Sequence, residues 1–593
     1  MRIRCDSPTQ SRRGFARALA TAALTALALA IVAATTGCIW QEESRKKLDL
    51  GVAEQLGPLA KSAAYRDTIG SKTVYQGLAP MRVRGYGLVV GLGDNGSSDC
   101  PRPVYDQLVE SLYKQHSFSS VVVGARSISP EKLIRDPDTA VVLVRGEIPP
   151  GAVAGSRFDV GVMAWPGTQT KSLRGGRLYT SDLHVYTTVA PDTTLSGQAL
   201  AKAAGPVFLN PFADDEAATR SSALEGVILG GGLVTQDRRI RLVLAQPSYS
   251  VARRIQDRIN AFFPGSDPVA TAISQSLVRV VIPPEFEEDE GHFLGLVRSL
   301  YISRDPQFAA VRSRELAQEL LQPTAPHARI ALCFEGLGRA ALPLLDGLYT
   351  HPKDYVSFHA AAAGLRLGDH VAGDVMVTHA ESPDGAFRFQ AIHALALAHG
   401  MAATGMALRR LLDDADPRIQ VAAYEALAQR GDPTIDSARV GGDNFVLDRV
   451  PTQRSGFIYV RRKESRRIAL FGDGLTVSPP VLYRAPDGSV TITAGPNADA
   501  LTVLRVVLPS GSTSPPVPAP LDLAGLIELM GRDADVDADG EVVGLSLDYG
   551  AVVRALNEMC RSGAIGANFV LEQPNAAELF GPPREVGRPE SEL

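Results

Sequence analysis

Gly91-Leu92-Gly93-Asp94-Asn95-Gly96 follows the apolar run Leu88 to Val90. That is the G-x-G-x-x-G spacing with which a backbone cradles a pyrophosphate at a helix N-terminus. Such a loop must open directly into its helix, and here Ser97-Ser98-Asp99-Cys100-Pro101-Arg102-Pro103 intervenes. The glycines therefore read as a turn, and no cofactor is expected. Asp535, Asp537, Asp539 and Gly540, with Glu541 behind them, offer the oxygens and tight turn of a calcium loop. Position twelve of that loop is Ser546, where a bidentate carboxylate is required, and Asp548 lies two residues too far along. A solvated acidic loop competes with calcium binding there, and the choice stays open. The ten histidines form no H-E-x-x-H motif, and His393 and His399 are badly spaced for shared zinc. With no G-x-S-x-G and no histidine signature beside a cysteine, a nucleophilic hydrolase has no support. No catalytic, cofactor-binding or metal residue is assigned, and an enzyme is not expected.

The elements that must carry any site change character along the chain. Its 593 residues suggest about three to five domains. With 45% hydrophobic and 21% charged residues, bulk disorder is excluded. A formal charge of -5 gives no electrostatic basis for nucleic-acid binding. Phe158, Val160, Val162 and Ala164 recur at period two, as do Leu183, Val185, Thr187 and Val189, predicting half-buried antiparallel strands. Val251, Ile255, Ile259 and Phe262 share one helical face, capped by Ser248 or Ser250 and flanked by strands at 240–244 and 277–282. The acidic run Glu285 to Glu290 marks a surface connection.

From about Asp305 to Asp432 the texture is helical and rich in Ala and Leu. Tyr355 to Asp369, Ala386 to Gly400 and Arg418 to Asp432 align at spacings of 31 and 32 residues. Phe358, Phe389 and Val421 fall at one equivalent position, Ala360, Ala391 and Ala423 at another, and Ala363, Ala394 and Ala426 at a third. Small residues at fixed places let paired helices pack closely, and the segment resembles HEAT-like repeats. Strand texture then returns, with pairs at 457–461 and 467–471 and a hairpin turning at Pro486-Asp487-Gly488.

The chain opens with Arg2, Arg4, Arg12, Arg13 and Arg17 against one acid, Asp6, then an uncharged Ala/Leu/Thr-rich stretch to Ala34. That is a signal-peptide pattern, at or below the length of a stable membrane span and weakly apolar. Thr35-Thr36-Gly37-Cys38 gives the small residues and cysteine of a lipoprotein cleavage site, with Cys38 the lipidation candidate. Ordinary cleavage near Ala33-Ala34 stays open, as does the choice between twin-arginine and general export. Export permits disulfides, but Cys100, Cys333 and Cys560 are widely spaced and no pairing is assigned.

Arg84-Gly85-Tyr86-Gly87-Leu88-Val89-Val90-Gly91-Leu92 resembles the opening signature of bacterial flagellar P-ring proteins, in which a G-Y-G-L-V-V-G-L segment precedes a glycine-rich turn that here includes Gly93. Thr170-Lys171-Ser172-Leu173-Arg174-Gly175-Gly176-Arg177-Leu178 is similar to that family's K-S-L-x-G-G-x-L segment. The helix with Ala252-Arg253-Arg254-Ile255 falls in family order, and Asp548 to Leu571 is similar to the closing helix and strand. The resemblance covers roughly 65–300 and, more weakly, 440–572.

It implies an α+β, multidomain fold whose β-rich P-ring-like domains are interrupted by an α-helical HEAT-like insertion. The expected division is signal peptide 1–37, linker 38–64, P-ring-like domains 65–304, helical insertion 305–438, β-rich domain 439–508, Pro/Ser-rich linker 509–520, closing helix-strand segment 521–574 and tail 575–593. It further implies a structural subunit of the flagellar basal body in the periplasm, forming a homo-oligomeric ring beside the rod and L-ring proteins. Arg84, Gly85, Tyr86, Gly87, Gly91, Gly93 and Lys171 to Gly176 are the implied assembly motif. Contact with peptidoglycan and a further protein partner of the helical repeats stay open. Family members usually carry a simple cleavable signal, so Cys38 is a departure that suggests an anchor in the outer membrane. An envelope lipoprotein scaffold that binds a partner through its repeats is the alternative.

Overall fold

A computed structural model describes residues 65–78, 81–115, 121–123, 126–185, 198–209, 223–286, 289–398, 400–442, 444–461, 465–485, 490–507, 512–535 and 544–572. The export segment, Cys38, Thr187, Val189, His399, Asp537 and Asp539 lie outside the described residues. The chain divides into two units, Met1–Gln76 with Ile240–Glu319, and Gly77–Arg239 with Leu320–Leu593.

The first unit starts with α1 (Ile69–Lys72) and β1 (Thr73–Gln76). The chain then enters the second unit with β2 (Met81–Val90), α2 (Arg102–Gln115), the small pair β3 (Val121–Val123) and β4 (Arg126–Ile128), and α3 (Pro130–Ile134). There follow β5 (Ala140–Ile148), β6 (Arg157–Ala164), β7 (Arg177–Val185), β8 (Ala201–Pro206) and β9 (Glu225–Val234). Strands β2, β5, β6, β9, β8 and β7 close in that order into an antiparallel barrel. The period-two run of β6 points Phe158, Val160, Val162 and Ala164 into the barrel core. Strands β2 and β5 are apolar on both faces: Val89, Val142 and Val144 face the barrel core, while Leu88, Val90 and Val141 pack under α2 and α3.

Returning to the first unit, the chain forms β10 (Ile240–Leu244), α4 (Tyr249–Phe262), β11 (Ala270–Ala272), β12 (Leu277–Val280), α5 (Glu290–Ser299) and α6 (Pro306–Leu320). The four-stranded sheet runs β1-β10-β12-β11. Ser248 caps α4, whose Ala252, Ile255 and Ile259 are buried. Helix α6 corrects the expected start of the insertion at 305, because nearly all of it belongs to this unit. Arg312 pairs with Asp67, and Phe308 packs edge-on against Tyr301 at 5.5 Å, ties that the Ala/Leu texture does not reveal.

The second unit resumes with α7 (His327–Leu337), α8 (Leu342–Tyr349), α9 (Asp354–Arg366), α10 (His370–Glu381), α11 (Arg388–Ala396), α12 (Ala402–Leu411) and α13 (Pro417–Gln429). Ala360, Ala391 and Ala423 are all fully buried, as close helix packing requires. The equivalence of Phe358 with Phe389 fails, since Phe358 is buried and Phe389 is 46% exposed. Phe387, just before α11, stacks on Phe358 at 4.5 Å and fills the space instead. Arg388 ties to Asp414, Arg409 to Asp432 at 2.9 Å, and Arg430 Nη1 donates to the carbonyls of Leu395 and Ala398. These bonds clamp α11 and α12 to the segments that flank α13.

The remaining elements are β13 (Asp436–Val440), β14 (Phe445–Val450), β15 (Phe457–Val460), β16 (Arg467–Phe471), β17 (Val481–Arg484), β18 (Val490–Ala494), β19 (Leu501–Val507), β20 (Ser512–Thr513), β21 (Val517–Ala519), α14 (Leu523–Gly531), α15 (Tyr549–Arg561) and β22 (Asn568–Leu571). One sheet has the order β13-β14-β16-β15-β22, and β17-β18-β19-β20 forms a second, with β21 also on β19. The Pro/Ser-rich stretch is thus not a bare linker. Val517 and Ala519 are buried while Pro518 faces out, the alternation of an edge strand, where proline's missing donor costs little. Nor is the closing segment separate, because β22 pairs with β15 and both helices share one core with the two sheets. Phe208 and Leu229 of the barrel portion join that same core, with Phe208 5.8 Å from the ring of Tyr549. Buried Asp448 accepts from Tyr424 and Ser437 at 2.5 Å each and from Arg467 at 2.6 Å, fastening the last repeat to the sheet.

Candidate assembly site

The structure brings the two glycine motifs together on one seam of the barrel. The first occupies β2, and the second runs through the loop into β7. The two strands pair with Val89 opposite Leu178 and Val90 opposite Arg177, and the register shifts before Arg84 meets His184. Glycine is what lets this seam close. A Cβ on Gly85 would lie 2.2 Å from the carbonyl oxygen of Asp182, and one on Gly87 would lie 2.4 Å from Ser181 Oγ. A Cβ on Gly176 would meet Val89 Cγ1 at 2.4 Å and Leu92 Cδ2 at 2.5 Å. Gly91 and Gly93 have open space but positive φ of 79° and 58°, so they serve the turn conformation. They lead into a short 3-10 turn, Gly93–Asn95, rather than a nucleotide-binding helix.

Backbone bonds lock the turn to the second motif. Lys171 N–H donates to the Asn95 carbonyl at 2.8 Å, and Gln169 N–H donates to Ser97 Oγ at 3.2 Å. Leu173 is fully buried in the barrel core, its N–H bonded to the Ala223 carbonyl at 2.8 Å. Gly93 N–H donates to Asp138 Oδ1, and Leu92 N–H to the Asp138 carbonyl at 3.0 Å. Asp138 was not singled out by sequence, although Asp136-Pro137-Asp138 has the composition of a turn. Tyr86 turns away from the barrel interior and meets Trp165 edge-on at 5.4 Å. Ser172 Oγ accepts from Arg174 N–H at 3.1 Å, holding the loop in a tight bend before Gly175, whose φ is 72°.

The chemistry of this seam is shape and charge. Lys171 and Arg177 are exposed and Arg174 is half-buried, with exposed Asp94 nearby in the first turn. Among the described residues, no group of three or more His, Cys, Asp or Glu could hold a metal ion. Ser546 Oγ accepts from Ala534 N–H at 2.7 Å, and Asp548 caps α15 through Ala551 N–H, so both side chains serve local structure. His393 is exposed. Cys100 and Cys560 are free thiols, and burial pushes the pKa of both up to about 11. Among the described residues, no helix is long and apolar enough to cross a membrane.

Both motifs and the barrel that joins them lie within one stretch that has known relatives. Residues 69–312 match the flagellar P-ring protein family. The flagellar P-ring protein of Bradyrhizobium sp. is 30% identical over 266 residues, covering 43% of this chain and 65% of that protein. The flagellar P-ring protein of Caulobacter vibrioides is 27% identical over 259 residues, covering 42% of this chain and 63% of that protein. The chain thus spans less than two thirds of the length of these relatives. The P-ring-like stretch includes the barrel and most of the four-stranded unit, and the closing elements around Asp548 to Leu571 fall outside it. Residues 374–438 match HEAT repeats, from within α10 through α13.

Proposed function

We propose that this chain is a structural subunit of a periplasmic P ring, one of many copies closing around the distal rod of a bacterial flagellar basal body. The observation that carries this reading is the family match over the stretch whose two glycine motifs interlock on the barrel seam. The seam builds a rigid body without reacting groups, which suits a bushing. A closed ring needs two different surfaces that meet head to tail. In this reading the loop of Lys171 and Arg174, with Arg177 at the start of β7, faces a neighbouring subunit, the rod or peptidoglycan, and the L-ring proteins lie next along the rod. Deletion of the gene is expected to abolish motility, and its restoration in trans to recover it; normal motility after deletion overturns the reading.

The HEAT match favours a second reading, in which the helical array recruits a further envelope protein while Cys38 anchors the chain. Normal motility together with loss of an envelope partner that binds 327–429 is its signature.

A further inference from the structure

The four-stranded sheet of the first unit has two unlike faces. Leu242 and Val278 are fully buried on one of them, and Tyr75 from the same face donates to the Leu294 carbonyl of α5 at 2.9 Å. Strand alternation puts Gln76, Arg241, Arg279 and Thr271 on the other face. They stand directly opposite one another in a row across all four strands, because Gln76 pairs with Arg241, Arg241 with Arg279, and Thr271 with Arg279. Like charges in directly opposed positions destabilise a sheet unless an anion sits between them. Among the described residues no carboxylate pairs with either arginine. Arg279 Nε is shielded from solvent and has no acceptor among the described residues, the kind of donor whose cost is relieved when a partner arrives. Arg241 is exposed, and on the same face, two residues along each strand, Val74 and Val243 pack with Leu277 beside the charged row.

The opposite side of the same unit carries acid. Phe286 packs on Phe263 at 5.6 Å and on Phe293 at 5.4 Å, which fixes it on the helical side of the sheet. Exposed Glu285 precedes it, and Asp289 and Glu290 follow at the start of α5. We infer that the Arg241–Arg279 pair of one copy docks the acidic segment Glu285, Asp289 and Glu290 of a second copy. Placing opposite charges on opposite sides of one small unit makes the contact head to tail, so it propagates from copy to copy and fixes register and encounter rate. This rests on the ring reading and names its subunit contact.

The test is sedimentation of the purified full chain across concentration and salt. Arg241→Glu with Arg279→Glu, and separately Glu285→Lys with Asp289→Lys, are each expected to weaken self-association by about tenfold or more. An equimolar mixture of the two variants is expected to associate again, because each restores the other's missing sign. The milder Arg241→Gln with Arg279→Gln pair, checked for an unchanged melt, is expected to weaken association and flatten its salt dependence, which separates lost contact from lost folding. If both reversed variants associate as well as the native chain, or the mixture fails to recover, the inference is overturned while the ring reading stands. A native chain that stays monomeric throughout overturns both.

Discussion

Gly85→Ala is the sharpest probe of the barrel seam. The added Cβ would lie 2.2 Å from the Asp182 carbonyl oxygen and 3.1 Å from Leu183 Cδ2. The nearer atom is backbone in the paired strand, so no rotamer change relieves the clash, and β2 and β7 must part by about 1 Å there. Overpacking of a filled core costs about 1–3 kcal/mol, and the loss of pairing beside it puts this case at or above the upper end. At about 2 kcal/mol per molar urea, the barrel's midpoint should fall by about 1.5 M. Gly91→Ala meets nothing within 4 Å but holds φ at 79°, so about 1–2 kcal/mol is expected. Gly161→Ala, whose nearest neighbour is the Arg145 carbonyl at 3.9 Å, should be neutral or slightly stabilising. The chain has two tryptophans, Trp40 and Trp165. In a Trp40→Phe background, Trp165 beside Tyr86 reports the barrel alone by fluorescence, which avoids the mixed unfolding of a multidomain chain. If Gly85→Ala unfolds at the same urea concentration as Gly161→Ala, the account of the motif as a steric requirement is wrong.

Other perturbations reach other joints. Asp448→Asn leaves Arg467 without its carboxylate and should cost about 3 kcal/mol, seen as faster amide exchange in α13 and β14. Arg388→Gln strands Asp414 in the helical array, and a loss of about 2–3 kcal/mol should appear as earlier unfolding of the repeats by limited proteolysis. Burial, with His327 beside it, lowers the His359 pKa to about 4, below its unfolded value of 6.5. The unfolded chain therefore binds the proton more readily, so this contribution is complete above pH 6.5 and is lost as pH falls toward 4; His359→Phe should flatten the melting temperature across that window. Burial raises the Glu425 carboxyl pKa, so its native state favours the proton. Stability from that proton is present below the unfolded value and lost as pH rises through the folded one, and Glu425→Gln should gain on the native chain as pH rises above the ordinary carboxylate value of 4.5.

Local patterns were legible where one physical signal dominated. The alternation in β6 and in the pair β17–β18 and the capped amphipathic α4 each follow from burial of one face, while β15 and β16, buried on both faces, show as short apolar runs. The small-residue register of the repeats was legible for the same reason, since alanine at 360, 391 and 423 is required where helices touch. What escaped was set by long-range partners. Phe387 rather than Phe389 fills against Phe358 because α11 begins at Arg388, three residues later than its equivalents at Asp354 and Pro417 require. Helix α6 joins the first unit through Arg312 and Asp67, separated by 245 positions. The glycines of both motifs could be marked as special, but only the closed barrel shows that Gly85, Gly87 and Gly176 face one another's strands while Gly91 and Gly93 shape a turn. Asp138, which holds that turn, has no signal beyond turn composition.

The most direct measurement is electron cryo-microscopy of basal bodies purified from cells that carry this chain with an affinity label. The account predicts labelled density in a closed ring encircling the distal rod, with the helical repeats projecting from its surface. Intact, unlabelled rings in basal bodies from those cells, with the chain recovered elsewhere in the envelope, would contradict it.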